Sequence, residues 1–290
     1  MNDSRILVTG ATGQQGGSVV DALLRKRQNV TGLTRNPESE KARILAERGV
    51  TLVTGDMNDK ESLIRAFSGI DTLFLVITPF EKGVENETAQ GIIAIDAAKE
   101  AGVNYIVYSS VSDADRDTGI PHFDSKFLVE EYLKKSGIAY SIIAPVFFYD
   151  NFISPWTLPG LQDGSLAQGL PATTYLQAIS VKNIGEFCAL ALMDRERFQG
   201  KRIDIAGDSL SGAGYAEGIA KASAKPIGYF EVPIDMVRQN SEDLALMYEW
   251  FHRVGYTAGI DELKNDYPEV EWESFSDWAG RQDWGMLEKE

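Results

Sequence analysis

Cysteine is almost absent: the 290 residues contain one, Cys188, so neither an intrachain disulfide nor a cysteine-based zinc site can be built, and no metal site is expected. Ile184, Phe187, Leu190 and Ala191 surround it at helical spacing, which predicts a buried structural thiol rather than a nucleophile. Long apolar runs are missing as well. The longest are far too short to cross a bilayer, and Met-Asn-Asp-Ser leads straight into a strand pattern, so neither a membrane partner nor a signal peptide is expected and the protein reads as cytoplasmic. Positive charge is scarce: 28 Lys and Arg stand against 43 Asp and Glu, a net charge of −15. Binding a polyanion requires clustered cations, so direct nucleic-acid binding is not expected. The acidity is concentrated in residues 231–290, which carry 15 acids and 5 bases. There is no internal repeat and no low-complexity linker.

What is present starts at once. Arg5-Ile6-Leu7-Val8-Thr9 runs into Gly10-Ala11-Thr12-Gly13-Gln14-Gln15-Gly16-Gly17, after which Ser18 to Leu24 take up helical spacing. A tight turn favours positive φ, and a pyrophosphate can approach backbone N–H groups only where no Cβ intervenes, which gives Gly10, Gly13 and Gly16 a physical role. The helix opening near Gln14 would aim its N-terminal amides and dipole at the anion. Such a triplet can also be a mere β-α turn, and the flanking strand and helix patterns are what favour the nucleotide reading.

Strand and helix patterns then alternate. Strands are predicted over residues 29–34, 50–54, 70–77, 103–109 and 138–145. Helices are predicted from the Asn36-Pro37 start to Gly49 and over 61–67 (capped by Asp59), 84–100 and 121–135. Strict alternation implies right-handed crossovers and an α/β fold with one doubly wound parallel sheet. After Phe147 the regularity breaks into loops and short strands. A helix over 181–193 and a strand over 202–206 then return the chain to the first domain, which is expected to comprise residues 1–150 plus 178–207. A smaller C-terminal domain over 151–290 follows, with helices predicted over 210–222 and 235–253. Trp250, Trp272, Trp278 and Trp284 are expected to pack it.

Cofactor choice is read at the end of the second strand, where an NAD enzyme usually places an acid against the ribose 2′-OH. Here stand Thr34-Arg35-Asn36. Arg35 can pair with a 2′-phosphate and Lys41 can add charge, which favours NADP(H); if Arg35 is only a solvated residue, NAD(H) is accepted too. Asp56 either accepts the adenine amine, with Met57 packing on the ring, or merely leads a helix. Thr78-Pro79-Phe80, Ser109 and Ser110 sit at strand C-termini, the ligand side of an open α/β sheet. His122 and Lys126 are four apart and share a helix face. Short-chain dehydrogenases put Tyr and Lys at that spacing, so His122 stands where the proton-transferring Tyr would be; it is either a general acid or a helix-start residue with a structural hydrogen bond.

Together, TGATGQQGGSVVDALL, TRNP, GDMND, HFDSK with the following EEYL, and PVFFYDNF resemble the NmrA-like family of atypical short-chain dehydrogenases/reductases, over roughly the first 155 residues. The resemblance implies a Rossmann-type domain with a small mixed C-terminal domain and NADP(H) binding. It further implies cofactor contacts at Gly10, Thr12, Gly13, Gln14, Gln15, Gly16, Arg35, Asp56, Met57, Thr78 and Lys126, and at Pro145, Phe148 and Asn151 beside the nicotinamide. His122 departs from the wider dehydrogenase pattern. Two functions from different classes are expected: an NADPH-dependent reductase of a small conjugated or aromatic acceptor, its pocket lined by Phe80, Phe147, Phe148, Tyr149 and Trp156, or a cofactor-sensing regulator that binds a partner protein without turnover. A degenerate nucleotide-binding scaffold is the third option. The protein is expected to be a monomer or homodimer.

Overall fold

A computed structural model of the chain describes residues 5–79 and 82–288. Strand and helix alternate in the order β1 (Ile6–Val8), α1 (Gln14–Arg25), β2 (Val30–Thr34), α2 (Glu40–Glu47), β3 (Thr51–Thr54), α3 (Lys60–Phe67), β4 (Thr72–Leu75), α4 (Val84–Ala101), β5 (Tyr105–Ser109), α5 (Pro121–Lys135) and β6 (Ala139–Pro145). Next come β7 (Phe147–Phe148), α6 (Leu158–Gln162), β8 (Ser165–Gln168), β9 (Tyr175–Ile179), α7 (Val181–Met193), α8 (Arg195–Phe198) and β10 (Arg202–Ile205). The chain ends with β11 (Asp208–Ser211), α9 (Gly212–Ser223), β12 (Gly228–Glu231), α10 (Ile234–Asn240), α11 (Glu242–Arg253), α12 (Ile260–Asp266) and α13 (Phe275–Gly280). The described residues group into two units. One takes those within 5–117, 121–144 and 184–203, the other those within 118–120, 145–183 and 204–288.

The first unit is a doubly wound Rossmann-type sheet of seven strands in the order β10-β6-β5-β4-β1-β2-β3. The pairings of β1 with β2 and β4, β2 with β3, and β5 with β4 and β6 are all parallel. Parallel strands covered on both faces read as continuous apolar runs, and every residue of β1, β4 and β5 is buried accordingly. Strand order reverses between β1 and β4, and Thr9 locks these two strands at their C-terminal ends. Its hydroxyl accepts from Val76 N (2.8 Å) and donates to Val76 O (3.1 Å). Helix ends follow local chemistry: Asp59 caps α3 by accepting from Ser62 N, and Gly102, at φ +80°, closes α4 in the left-handed region. Cys188 is fully buried on α7, and burial pushes its thiol far above the usual range.

The second unit is smaller and mixed. In one sheet of order β11-β9-β7, β9 pairs antiparallel with β11 and parallel with β7; in the other, β8 and β12 pair in parallel. Its core is aromatic: Phe152 and Phe275 each lie 4.7 Å from Tyr215, and Phe275 stacks on Trp278 at 5.4 Å. Trp250 and Trp278 are buried, whereas Trp272 and Trp284 are half-buried and donate their indole N–H to Tyr267 O and Ala279 O.

Three local expectations are corrected. Helix α2 starts at Glu40, not at Pro37, because Asn36 Oδ1 accepts from Glu38 N in a turn and Ser39 provides the cap, accepting from Ala42 N. Leu210 belongs to β11, where it pairs with Leu176, and the helix begins only at Gly212 under a Ser211 cap. The helix expected over 235–253 is two, because Ser241 leaves helical geometry (ψ 115°) and caps α11 through Leu244 N.

Helix α7 crosses α1 at a point with no room for a side chain: a Cβ on Gly185 would lie 2.3 Å from Ser18 Oγ and 2.5 Å from its carbonyl atoms. Gly185→Ala is therefore expected to cost about 1–3 kcal/mol, the usual cost of overpacking, seen as a lower urea midpoint. Gly280→Ala, at a helical glycine with nothing within 4 Å, should be neutral or stabilising by up to about 1 kcal/mol. Equal effects of the two substitutions would refute the close crossing.

Candidate functional site

The switch point between β1 and β4 is roofed by the glycine turn. Gly10 sits at φ +61°, and Gly13 N donates to Gly10 O at 2.9 Å, closing the turn. A Cβ on Gly16 would lie 2.2 Å from Gly10 O and 2.7 Å from Thr9 O, so backbone meets backbone here. Gly13 caps α1 without a side chain, and no acid stands in the first turn. The amides of Gln14, Gln15 and Gly16 have no acceptor among the described residues. An uncapped helix start of this kind is suited to an anion. Thr12 and Gln15 are half-buried beside it, and Gln15 Oε1 accepts from Ser109 Oγ at 2.6 Å, tying the turn to the end of β5.

Just past the ends of β2 and β3, Arg35 and Asp56 are exposed. Thr34 Oγ1 accepts from Asn36 N at 3.1 Å and Arg35 stands outward; Lys41 lies exposed in the first turn of α2. Asp56 Oδ1 accepts from the backbone N–H of Asn58 (2.9 Å) and from its amide (3.0 Å). Those bonds hold the Asp56 carboxyl below its usual range, helped more weakly by the charges of Lys82 and Arg35, and Oδ2 keeps no partner among the described residues. Met57 packs against the core below it. Thr78 is exposed at the end of β4, and Phe80 lies outside the described residues.

Beneath the end of β5 are two buried carboxylates that sequence reasoning missed. Lys126 Nζ pairs with Glu87 Oε1 at 2.7 Å and donates to Ile77 O at 3.1 Å; Ser125 Oγ donates to Glu87 Oε2 at 2.5 Å. Glu130 accepts from Ser110 Oγ and from Arg202 Nε (3.0 Å). Burial holds the Glu130 carboxyl above its usual range while Arg202 and Ser110 pull it back down. Both hydroxyls at the end of β5, Ser109 and Ser110, are therefore engaged inside the protein. Tyr108, also on β5, is fully buried with no partner for its hydroxyl among the described residues, and burial pushes its phenol well up. A signal for Glu87 existed: Gly91, Ala94, Ile95 and Ala98 share its buried stripe on α4, where a lone acid demands a partner. His122 is half-buried one residue into α5, its ring edge-on to Phe123 at 4.9 Å and its carbonyl accepting from Ser125 Oγ at 3.2 Å.

The remaining predicted residues belong to the second unit. Pro145 is buried at the end of β6, Phe148 is half-buried in β7, and Asn151 is half-buried in a turn whose carbonyl accepts from Thr157 Oγ1 at 2.8 Å. Phe147 is half-buried with its ring 5.5 Å from Phe152, while Trp156 is 85% exposed. Tyr149 corrects the expectation of a pocket-lining aromatic. It is fully buried with its ring 5.3 Å from Phe275 and 5.8 Å from Trp278, because its strand-end position turns it into the aromatic core.

An open parallel sheet with a side-chain-free helix start at its switch point defines a Rossmann-type dinucleotide-binding protein. Among the described residues no helix is long and apolar enough to cross a membrane. The NmrA-like family model matches residues 2–280, and the chain belongs to that family. It is 27% identical over 270 residues to an NmrA-like family domain-containing protein of Dictyostelium discoideum, covering 87% of this chain and 88% of the relative. It is also 27% identical over 227 residues to quinone oxidoreductase 2 of Escherichia coli, covering 77% and 76%. Among solved structures, the Citrobacter triphenylmethane reductase complexed with NADP(H) superposes with a TM-score of 0.79 at 21% identity, over 95% of this chain and 99% of that one.

The Tyr149 hydroxyl has no partner among the described residues. Tyr149→Phe is expected to leave stability within about 0.5 kcal/mol of wild type or to raise it, since an unpaired buried hydroxyl is removed. Tyr149→Ala should cost about 3–5 kcal/mol. A large loss for Tyr149→Phe in chemical denaturation would mean that the hydroxyl is bonded.

Proposed function

We propose that this chain is an NADPH-dependent reductase of a small conjugated or aromatic acceptor. The observation that carries the reading is the uncapped start of α1, where three amides stand without acceptors over a turn into which no Cβ fits at Gly16. The fit to a dinucleotide is specific. Gly10, Thr12, Gly13, Gln14, Gln15 and Gly16 would hold the pyrophosphate, Arg35 with Lys41 the 2′-phosphate, and Asp56 Oδ2 with Met57 the adenine. Thr78 would flank it, Lys126 would hold the nicotinamide ribose through its third N–H, and Pro145, Phe148 and Asn151 would lie beside the nicotinamide, with Phe147 and Trp156 on the substrate side. NADPH, when bound, supplies the hydride. His122 or a water delivers the proton, and Lys126 fixes the ribose. The names of two relatives, a quinone oxidoreductase and a triphenylmethane reductase, support an aromatic acceptor.

A second reading, a cofactor sensor without turnover, is favoured by one observation: Ser109 and Ser110 donate to Gln15 and Glu130, so neither serine at the end of β5 keeps its hydroxyl proton for a substrate. Titration with NADPH, NADP⁺ and NADH, together with NADPH oxidation against quinones, imines and enones, separates the two. The reductase reading expects acceptor-dependent oxidation; with His122 as proton donor, His122→Ala lowers it by about 10²–10⁴ with NADPH affinity kept within a few-fold, and normal turnover would assign the proton to water or another side chain. Binding without oxidation of any acceptor would favour the sensor. Arg35→Glu should weaken NADPH by about 1.5–3 kcal/mol and leave NADH nearly unchanged. Equal responses of the two cofactors would remove Arg35 from the 2′-phosphate.

A further inference from the structure

The Lys126 ammonium has three N–H donors, and the protein takes two of them, for Glu87 Oε1 at 2.7 Å and Ile77 O at 3.1 Å. No third acceptor occurs among the described residues, and the side chain is 12% exposed, while Glu87 is fully buried. The other Glu87 oxygen is held by Ser125 Oγ, the residue immediately before Lys126. Both oxygens of one carboxylate are thus fixed from α5, one by the ammonium and one by its neighbour. The carboxylate in turn comes from the first turn of α4, and Ile77 O from just past the end of β4. An isolated lysine on an exposed helix face would sweep many rotamers, and each would dilute the single geometry that a ribose hydroxyl needs. Here two acceptors in fixed directions leave only one donor direction free.

We propose that Glu87 is a positioning residue that acts through Lys126: it fixes the ammonium so that its third N–H serves the cofactor ribose, with Ser125 orienting the carboxylate. This rests on the reading of Lys126 as a ribose ligand, and it adds the residues that make that lysine effective. A purely structural alternative exists, in which the ion pair does no more than fasten α4 to α5.

A double-mutant cycle tests it, with NADPH dissociation constants measured by calorimetry and melting temperatures measured without cofactor. Glu87→Gln keeps the shape and one carbonyl acceptor but loses the charge. It is expected to weaken NADPH about tenfold, the lower end of the loss known when the partner of a metal-ligating side chain is removed. In a Lys126→Met background the same substitution should cost nothing further, because there is no ammonium left to position. Ser125→Ala should give a smaller loss, about threefold, that also vanishes in the Lys126→Met background, and it carries the test if Glu87→Gln does not fold. If Glu87→Gln lowers the melting temperature but leaves NADPH affinity unchanged, or if the losses add in the double variant, the pair is structural and the proposal fails. Wild-type protein that does not bind NADPH would sink the function reading and this inference with it. Tight binding by wild type and unaltered binding by Lys126→Met would remove Lys126 and Glu87 from the site and leave the reductase reading standing.

Discussion

A missing methyl group governs the first unit. At Gly16 the start of α1 comes so near the Gly10 and Thr9 carbonyls that a Cβ would lie 2.2 Å from an oxygen. That proximity is possible only with glycine, and it sets the angle at which the helix leaves β1. Gly13 caps the helix with backbone alone, and the first amides have no acceptors among the described residues. Thr9 and Gln15 then connect this turn to the neighbouring strands, through Val76 on the β4 side and Ser109 on the β5 side. The candidate anion site therefore follows from steric exclusion at one residue, with hydrogen bonds holding what sterics arranged.

A second theme is the burial of acids beneath the ends of the strands. A net charge of −15 is spread mostly over the surface, yet Glu87 and Glu130 are completely buried, each with a cation and a serine hydroxyl. Burying an isolated carboxylate in a protein interior is costly, and pairing offsets that cost only when the remaining lone pairs are also satisfied. Both sites meet the condition with a Lys or Arg on one side and a Ser on the other. Breaking either pair would leave an uncompensated charge, so these contacts constrain α4, α5 and β10 together. The same arrangement engages the hydroxyl protons of Ser109 and Ser110 inside the protein.

Much of the fold was legible because its signals are local. Helix α5 runs over 121–135 and α7 over 181–193, as their apolar spacing and breakers indicate, and the almost continuous apolar run at 70–77 encloses a fully buried strand. The misplaced boundaries share one cause. At Asn36, Leu210 and Ser241, short polar side chains and strand pairing compete with helix propensity, and the winner depends on what the backbone meets in space. Tyr149 shows the same limit for a side chain: its neighbours in sequence are aromatic and half-buried, while its own ring faces the Phe275 and Trp278 core, about 125 residues further along the chain.

By itself the sequence determined the alternation of strand and helix, the glycine turn, the single cysteine and the acidic balance. All of these are properties of residue type at short spacing, or of composition. The tertiary structure alone decided which side chains meet. Glu87 pairs with Lys126 across 39 positions, Gln15 accepts the Ser109 hydrogen bond across 94, and Arg202 reaches Glu130 across 72. No periodicity encodes those distances, because each follows from the order in which parallel strands are laid beside one another and from the burial that forces a charge to find its partner.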